Sequence, residues 1–525
     1  MNKWPFLAFL SLYLLTISAR IDSGDGGAMF QVTDSLLNGR GFVISAKMPD
    51  QDLLGPHGER VPREEVGNGL GLYGVDGRYY AKFGPGQSFA AVPFYLIGKL
   101  VHALWPAWSE AFWVWAGAGL LNSVVTALTV VLVAQAAQLF FDRKTSLVVA
   151  MLFGLATPAW PYAKSFFSEP LAGGLMFLGG YAAMRARRDA RWGWYTLSGL
   201  ALGAAVLVRP TASLILPVVA GYLFLACHPS EIRWAMWVSA LAIPPLLLGW
   251  YNVVRFGSPL ITGYTGTRWD VTLLGAGLYG LLLSSGKGLV WFAPIVVLSV
   301  AALPAFIRRA RAEGWLIAGV SAVFLAAHSI FNYWTGGGGW GPRLILPMVV
   351  WLVVPLGVLF ECKIRPAWQK LSIVVVIAAS VLVQVLGVSV GYARHLQAVY
   401  NTSRTSEEYF DRVQFNWADS PVIGQVSELL AVTGNLRNAD TRQELRDMVA
   451  RVLATSDPND VFYDARTEAV SLLAFNAPDF WFVYDWLMGM PLEAIAVILV
   501  MLVAVLVVSV WRVRVYMNSS GLKSR

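Results

Sequence analysis

The sequence predicts an all-α polytopic membrane protein: about 12 transmembrane helices, a long first external loop bearing amphipathic surface helices, and a small C-terminal external domain. Three observations predict it. Hydrophobic residues make up 56% of the 525 positions and charged residues only 14%, where soluble domains carry about a quarter. Apolar runs of bilayer-spanning length, about 17–25 residues, recur along the chain. The basic clusters between those runs fall on alternate loops, as the positive-inside rule requires of a multi-pass protein.

The runs lie at 4–19, 112–140, 145–161, 170–184, 194–210, 211–227, 234–253, 288–307, 315–333, 344–361, 371–391 and 488–511. Arg143 with Lys144, RARRDAR at 185–191, RRAR at 308–311, KIR at 363–365 with Lys370, and the tail with Lys523 and Arg525 all fall on one side, read as cytoplasmic. Both termini then lie in the cytoplasm, and the protein belongs in the cytoplasmic (inner) membrane. Counting 89–105 as a span would invert every later loop. Lys99 and His102 share a helical face, so this stretch reads as a surface helix within a first external loop of about 20–111. The first run also has the look of a signal peptide, with Lys3 before an apolar core; a retained helix is the expectation. Residues 1–391 form the main transmembrane module, and 392–487, polar and acidic, an external, mostly helical segment. Residues 488–525 hold the last span and a basic tail.

The net charge of +8 sits between spans, where it orients the chain, so nucleic acid is not expected as a partner. Cys227 and Cys362 fall at cytoplasmic ends of apolar runs, which excludes a disulfide framework.

Chemistry concentrates on the external side. IDSGDGGAMF (21–30) opens an amphipathic helix over 28–37, with Met29, Val32, Thr33, Leu36 and Leu37 at helical spacing. Asp25 stands at its N-terminal edge, where an N-cap is the bland reading. Gly26 and Gly27 are poor helix formers, about 0.8–1.0 kcal/mol each relative to Ala, and suggest a close backbone approach. GRYYAKFGPGQSF (77–89) carries Tyr79, Tyr80 and Lys82, and YAKSFFSEP (162–170) carries Lys164 and Glu169. Four cations stand at outer span ends: Arg209, Arg255, Lys287 and Arg343, the last after a GGGG run. A charge at membrane depth costs about 2.5–3.5 kcal/mol unless it snorkels or is paired. Snorkelling explains any one of them; four together point to a bound anion, phosphate above all.

These residues resemble the GT-C superfamily of integral-membrane glycosyltransferases, which includes protein O-mannosyltransferases and lipid A aminoarabinose transferases. The nearest resemblance is to bacterial phospholipid-carrier-dependent glycosyltransferases. It covers the chain to about residue 391. SGDGGAMFQVTDSLL is similar to that family's acidic first-loop motif, with Asp25 in the Asp position and Gly26 where a Glu is common; Asp22 or Glu169 is left to supply a second carboxylate. YYAKFGPGQSFAAVPFYLIG, RFGSPLITGY (with Tyr264), GLYGLLLSSGKGLVWFAP and WTGGGGWGPRLILP resemble further family segments.

The resemblance implies a GT-C-like fold and inverting transfer of a sugar from a polyprenyl-phosphate donor to an acceptor hydroxyl on the external face. The acceptor is a glycan, a lipid or a protein, and membrane lipid is a further partner. Asp25, Asp22 and Glu169 are the candidate catalytic carboxylates. Arg343, Lys82, Arg209, Arg255 and Lys287 are the candidates for the donor phosphate, and Tyr79, Tyr80, Lys164 and Tyr264 for the rest of the substrate. Some relatives use a divalent metal; the sparse external histidines offer no ligand cluster, so no metal and no cofactor is expected. The alternative is a transporter or lipid-linked sugar flippase, which calls for internal repeats and charges near helix centres. A polysaccharide polymerase or ligase is a further alternative, and an inactive family member another.

Overall fold

The computed structural model describes residues 3–518 apart from 19, 22, 45–69, 107, 265, 362–365 and 456–464. Every predicted span is occupied by helix. Among the described residues seven helices are long and apolar enough to cross a bilayer: Glu110–Ala137, Pro210–Cys227, Glu231–Phe256, Arg311–Ser329, Arg343–Glu361, Ala367–Ser389 and Leu492–Asn518. The other five predicted spans coincide with helices that fall short in length or apolarity. Trp4–Thr16 has 13 residues, about 20 Å at 1.5 Å per residue. Arg143–Ala156, Trp192–Val208 and Ile295–Arg309 are also short, the last because Pro294 separates it from Leu289–Phe292. Glu169–Asp189 has 21 residues, but it opens on Glu and closes on Arg185, Arg187, Arg188 and Asp189.

Small residues bring the helices together, as in membrane bundles generally. Gly180 leaves room for the Trp351 ring, which meets Phe177 edge-on at 5.3 Å. Gly199 and Gly203 let Trp192–Val208 approach the backbone of Glu231–Phe256 at Trp237 and Leu241. These contacts belong to one large apolar core that includes Ala205, Phe306, Val320 and Val349.

A second core lies under the first loop, where Phe30, Tyr95, Trp115, Phe166 and Tyr251 pack together. It fixes the helices Gly24–Leu37 and Gly86–Leu104 and an antiparallel hairpin, β1 (Gly71–Tyr73) and β2 (Tyr79–Ala81), paired Leu72 to Tyr80. Gly86–Leu104, the expected surface helix, is not among the candidate spans. Lys99 pairs with Glu110 at 3.2 Å, and His102 Nδ1 lies 3.0 Å from the Trp108 carbonyl.

Among the described residues of 392–487 the helices are Tyr392–Asn401, Ser406–Phe415, Pro421–Arg437, Ala439–Thr455, Ala465–Ala474 and Trp481–Leu487. The last of these pack on Ala439–Thr455 through Val449, Leu473 and Tyr484. Cys227 is free, and Cys362 lies outside the described residues.

Candidate active site

The helix at the first loop begins earlier than the apolar spacing implies, at Gly24 rather than residue 28, and its cap is Ser23. The Ser23 hydroxyl accepts the Gly26 N–H at 3.0 Å. Asp25 is thereby released from capping, and its carboxylate points instead to Arg343, Oδ2 to Nη2 at 2.8 Å. Gly26 answers the question its sequence position raises: a Cβ there would stand 2.7 Å from Ile21 Cγ2, 3.0 Å from Ser23 Oγ and 3.3 Å from Phe166 Cβ. Overpacking of that kind costs about 1–3 kcal/mol, against about 1 kcal/mol of helix propensity gained from Gly to Ala. Gly26→Ala is therefore expected to lower the Tm in detergent and to displace Asp25 from Arg343, read as a fall in thermal midpoint and activity together.

Four charged groups from four helix ends meet here. Glu169 lies in the first turn of Glu169–Asp189 and is fully buried. Its Oε1 accepts from Arg209 Nη1 at 2.8 Å and from Arg343 Nη1 at 3.2 Å. Arg209 follows Val208, the last residue of its helix, and also donates to Ser168 Oγ at 3.1 Å. Arg343 opens the Arg343–Glu361 helix and lies over the Phe167 ring at 4.3 Å. A planar fork that bridges two carboxylates is an arginine geometry that lysine cannot reproduce.

The glycine run serves this arginine. Gly336, Gly337 and Gly341 have φ of 67°, 68° and 62°, a region open to glycine at no steric cost. The Gly336 carbonyl accepts from Arg343 Nε, and a Cβ at Gly339 would stand 2.8 Å from Arg343 Cδ and 2.6 Å from Tyr162 Oη. The run thus wraps Arg343 rather than offering bare backbone.

Electrostatics single out Asp25. Burial pushes its carboxyl up, but Arg343, Lys82 and Arg209 outweigh burial and hold it below the ordinary carboxylate value. Its side chain keeps 23% exposure against none for Glu169, so of the two acids it is Asp25 that a reactant can reach. Tyr264 completes the surround. Burial pushes its hydroxyl up to about 12, and it feels Arg209, Asp25, Glu169 and Arg343. Its ring lies at right angles to Phe83, 6.0 Å away, while Gly263 lets the chain pass close against Lys82.

The structure therefore brings together Asp25, Glu169, Arg343, Arg209, Lys82 and Tyr264. The remaining candidates have other partners. Lys287 is buried and donates to the carbonyls of Gly337 and Gly339 at 2.8 and 2.6 Å, fastening the glycine run; burial, then Arg343, pulls its ammonium down to about 7. Arg255 is buried against Tyr251, 3.6 Å from the ring centre, and donates to the Ala81 carbonyl and to Asn252 Oδ1. It braces the hairpin. Tyr79 Oη accepts the Gly71 N–H at 3.1 Å and Tyr80 Oη donates to Asp76 at 2.6 Å, so both tyrosines hold the hairpin. Lys164 pairs with Asp479 at 2.8 Å, away from its sequence neighbour Glu169. Asp22 lies outside the described residues. Among the described residues no three His, Cys, Asp or Glu side chains converge; Asp25 and Glu169 are bridged by Arg343 instead.

Compared with known proteins, the sequence matches no family model and no curated relative. Solved structures do resemble it. ArnT from Cupriavidus metallidurans bound to undecaprenyl phosphate is similar at 14% identity over 93% of this chain and 77% of its own, with a TM-score of 0.47. The Archaeoglobus fulgidus oligosaccharyltransferase in its apo form is similar at 11% identity over 79% of this chain and 60% of its own, TM-score 0.41. These structural neighbours are GT-C superfamily glycosyltransferases. At such identity they leave the chemistry of this chain to its own residues.

Proposed function

We propose that the protein is an inverting glycosyltransferase that moves a sugar from a polyprenyl-phosphate donor to an acceptor hydroxyl at the external face of the cytoplasmic membrane. The observation that carries this reading is the reachable Asp25 carboxylate, ringed by Arg343, Arg209 and Lys82 and backed by the buried Glu169. In the reaction Asp25 takes the acceptor O–H proton as the oxygen bonds to the anomeric carbon. The sugar–phosphate C–O bond breaks, and the carrier phosphate leaves with one more negative charge than it had in the donor. Arg343, Lys82 and Arg209 stabilise that growing charge, and Glu169 holds the two guanidinium groups in place. Tyr264 is placed to contact the sugar or phosphate. Lys287, Arg255 and Lys164 act as scaffold in this reading.

The position of the charges favours catalysis over transport. Asp25 and Glu169 occupy first helical turns, Arg209 follows a last turn and Arg343 opens a helix, whereas transporter sites gather near span midpoints.

Arg343 also links donor binding to base strength. A phosphate that draws Arg343 away from Asp25 removes the largest attraction holding the carboxyl low, so the pKa of Asp25 rises when donor binds. Activity falls as pH drops through that pKa. The acid limb of kcat, which reports the bound complex, is accordingly expected at higher pH than the acid limb of kcat/KM, which reports the free enzyme. The measurement is transfer of labelled sugar from a panel of polyprenyl-phosphate sugars by protein in liposomes across pH. Absence of transfer from every donor would defeat the proposal, and coincident limbs would remove the Arg343 link.

A further inference from the structure

The Ala367–Ser389 helix is a candidate span whose exposure changes along its length. Leu371, Val374, Val375 and Leu382 open outward, while Val383, Gln384, Leu386 and Val388 are buried. The cover over this second part is the Pro421–Arg437 helix. Its Val422 and Leu429 pack with Val383 and Leu386, and Gln425 Nε2 donates to the Val390 carbonyl at 2.7 Å. At 1.5 Å per residue, Ser389 stands about 27 Å from Leu371, still within the roughly 30 Å of a hydrocarbon core. The covering helix thus lies beside a span at membrane depth. It does so at the end nearest the candidate site, where Val383 and Leu386 share a core with Phe167, the ring beneath Arg343.

Among the described residues, none covers the opposite face of Pro421–Arg437. Ile423, Val426, Ser427, Leu430, Ala431 and Gly434 recur at spacings of three and four and all are exposed; the one charge among them in sequence, Glu428, lies to the side of the stripe, 14% exposed and paired with Arg394. The solvent face of a water-soluble helix is polar. Here Ile423 is 55% and Leu430 70% exposed, matching Val497 at 58% and Val500 at 66% on the Leu492–Asn518 span. The stripe also continues into an aromatic rim: Phe415 stacks on Tyr279 at 6.1 Å and Trp417 meets Trp291 at 4.9 Å. All four rings are exposed, and Trp and Tyr favour the boundary between bilayer and water.

We propose that the bilayer itself covers this face. The Pro421–Arg437 helix lies in the leaflet on the active-site side, its stripe from Ile423 to Gly434 among acyl chains, its Arg437 reaching the headgroups and Trp417 at the interface. The Pro421–Arg437 helix is then part of the membrane-embedded body, while the charged Ser406–Phe415 helix and the later helices of the 392–487 segment face water. This placement is independent of the reaction the site performs.

Site-directed spin labelling of the full chain in liposomes tests it, after replacement of Cys227 and Cys362 by Ser. Labels at Ile423→Cys, Val426→Cys and Leu430→Cys are expected to collide several-fold more with oxygen than with a water-soluble nickel chelate, with labels at Glu407→Cys and Asp440→Cys showing the reverse. Chelate access along the stripe equal to that at Asp440→Cys would place the helix in water and overturn the proposal. Low access to both reagents would overturn it equally, by showing that protein covers the stripe; broadening between labels on two chains would identify that protein as a second copy.

Discussion

Asp25→Asn is expected to cut sugar transfer by about 10²–10⁴-fold, the usual contribution of a general base, while donor binding is retained or tightened. The two halves of this result have one cause. The amide cannot take the acceptor proton, so turnover is lost. It also gives up the ionic contact with Arg343 at 2.8 Å, so a donor phosphate no longer competes with a carboxylate for the guanidinium. Glu169 still holds Arg343 and Arg209, which keeps the cations in position and the fold intact. Labelled-sugar transfer measured beside donor affinity separates the outcomes. Equal turnover in wild type and variant would remove Asp25 from the chemistry. Loss of both turnover and donor affinity would assign it to binding or to folding.

Asp479→Asn is expected to produce the largest loss of stability, toward the lower end of the about 3–5 kcal/mol seen when one partner of a buried ion pair is removed. Asp479 gathers three parts of the chain. Its carboxylate takes Lys164 at 2.8 Å and Arg20 at 3.3 Å, accepts the Tyr484 hydroxyl, and its N–H donates to the Ser389 carbonyl at 2.9 Å. Arg20 precedes Asp25 and Lys164 precedes Glu169 in the chain by five residues each, so this junction anchors the approaches to both acids. An amide keeps some hydrogen bonds, and Lys164 keeps the Val388 and Asp479 carbonyls, but its ammonium, on a side chain 7% exposed, loses its carboxylate counter-charge. Burial raises the Asp479 carboxyl, yet Lys164 and Arg20 prevail and hold it below the ordinary carboxylate range. A depressed carboxyl stabilises the fold at pH above its unfolded value, about 4, and the contribution fades as pH falls through the lower folded value. Thermal midpoints of wild type and variant are accordingly expected to differ widely at neutral pH and to converge only in strong acid. Equal midpoints at pH 7 would show that the junction is not a stabilising contact.

How far the sequence led can be judged residue by residue. Helix positions were legible because an apolar run of spanning length has few other uses, and each predicted span is helical. The number of helices able to cross was harder to read, since hydropathy alone does not show that Pro294 breaks one run or that Trp4–Thr16 stops at 13 residues. The surface placement of 89–105 rested on Lys99 and His102, and both make local contacts on the Gly86–Leu104 helix. Within the site, Asp25, Glu169, Arg209, Arg343 and Lys82 were all singled out by residue type and place. Asp479 was missed: in NAPDFWF nothing distinguishes a buried junction from a loop acid, because its partners lie at Arg20 and Lys164, more than 300 residues away.

The sequence by itself determined the solvent of this protein and the helical form of its chain. Composition and run length answer to a local physical requirement, since every backbone group in hydrocarbon must be paired within its own helix. It also determined which charged residues stand at helix ends. Only the tertiary structure decided how those charges divide. Lys287 and Arg255 look no different in sequence from Arg209 and Arg343, but the first two are spent on carbonyls and aromatic rings that fold against them. The last two share Glu169, and Arg343 alone reaches on to Asp25. A buried charge takes whatever partner packing brings within about 3 Å, and that depends on segments far apart in the chain. The same is true of Pro421–Arg437, whose apolar stripe is written in its sequence but whose place against Ala367–Ser389 was set by the helix it covers.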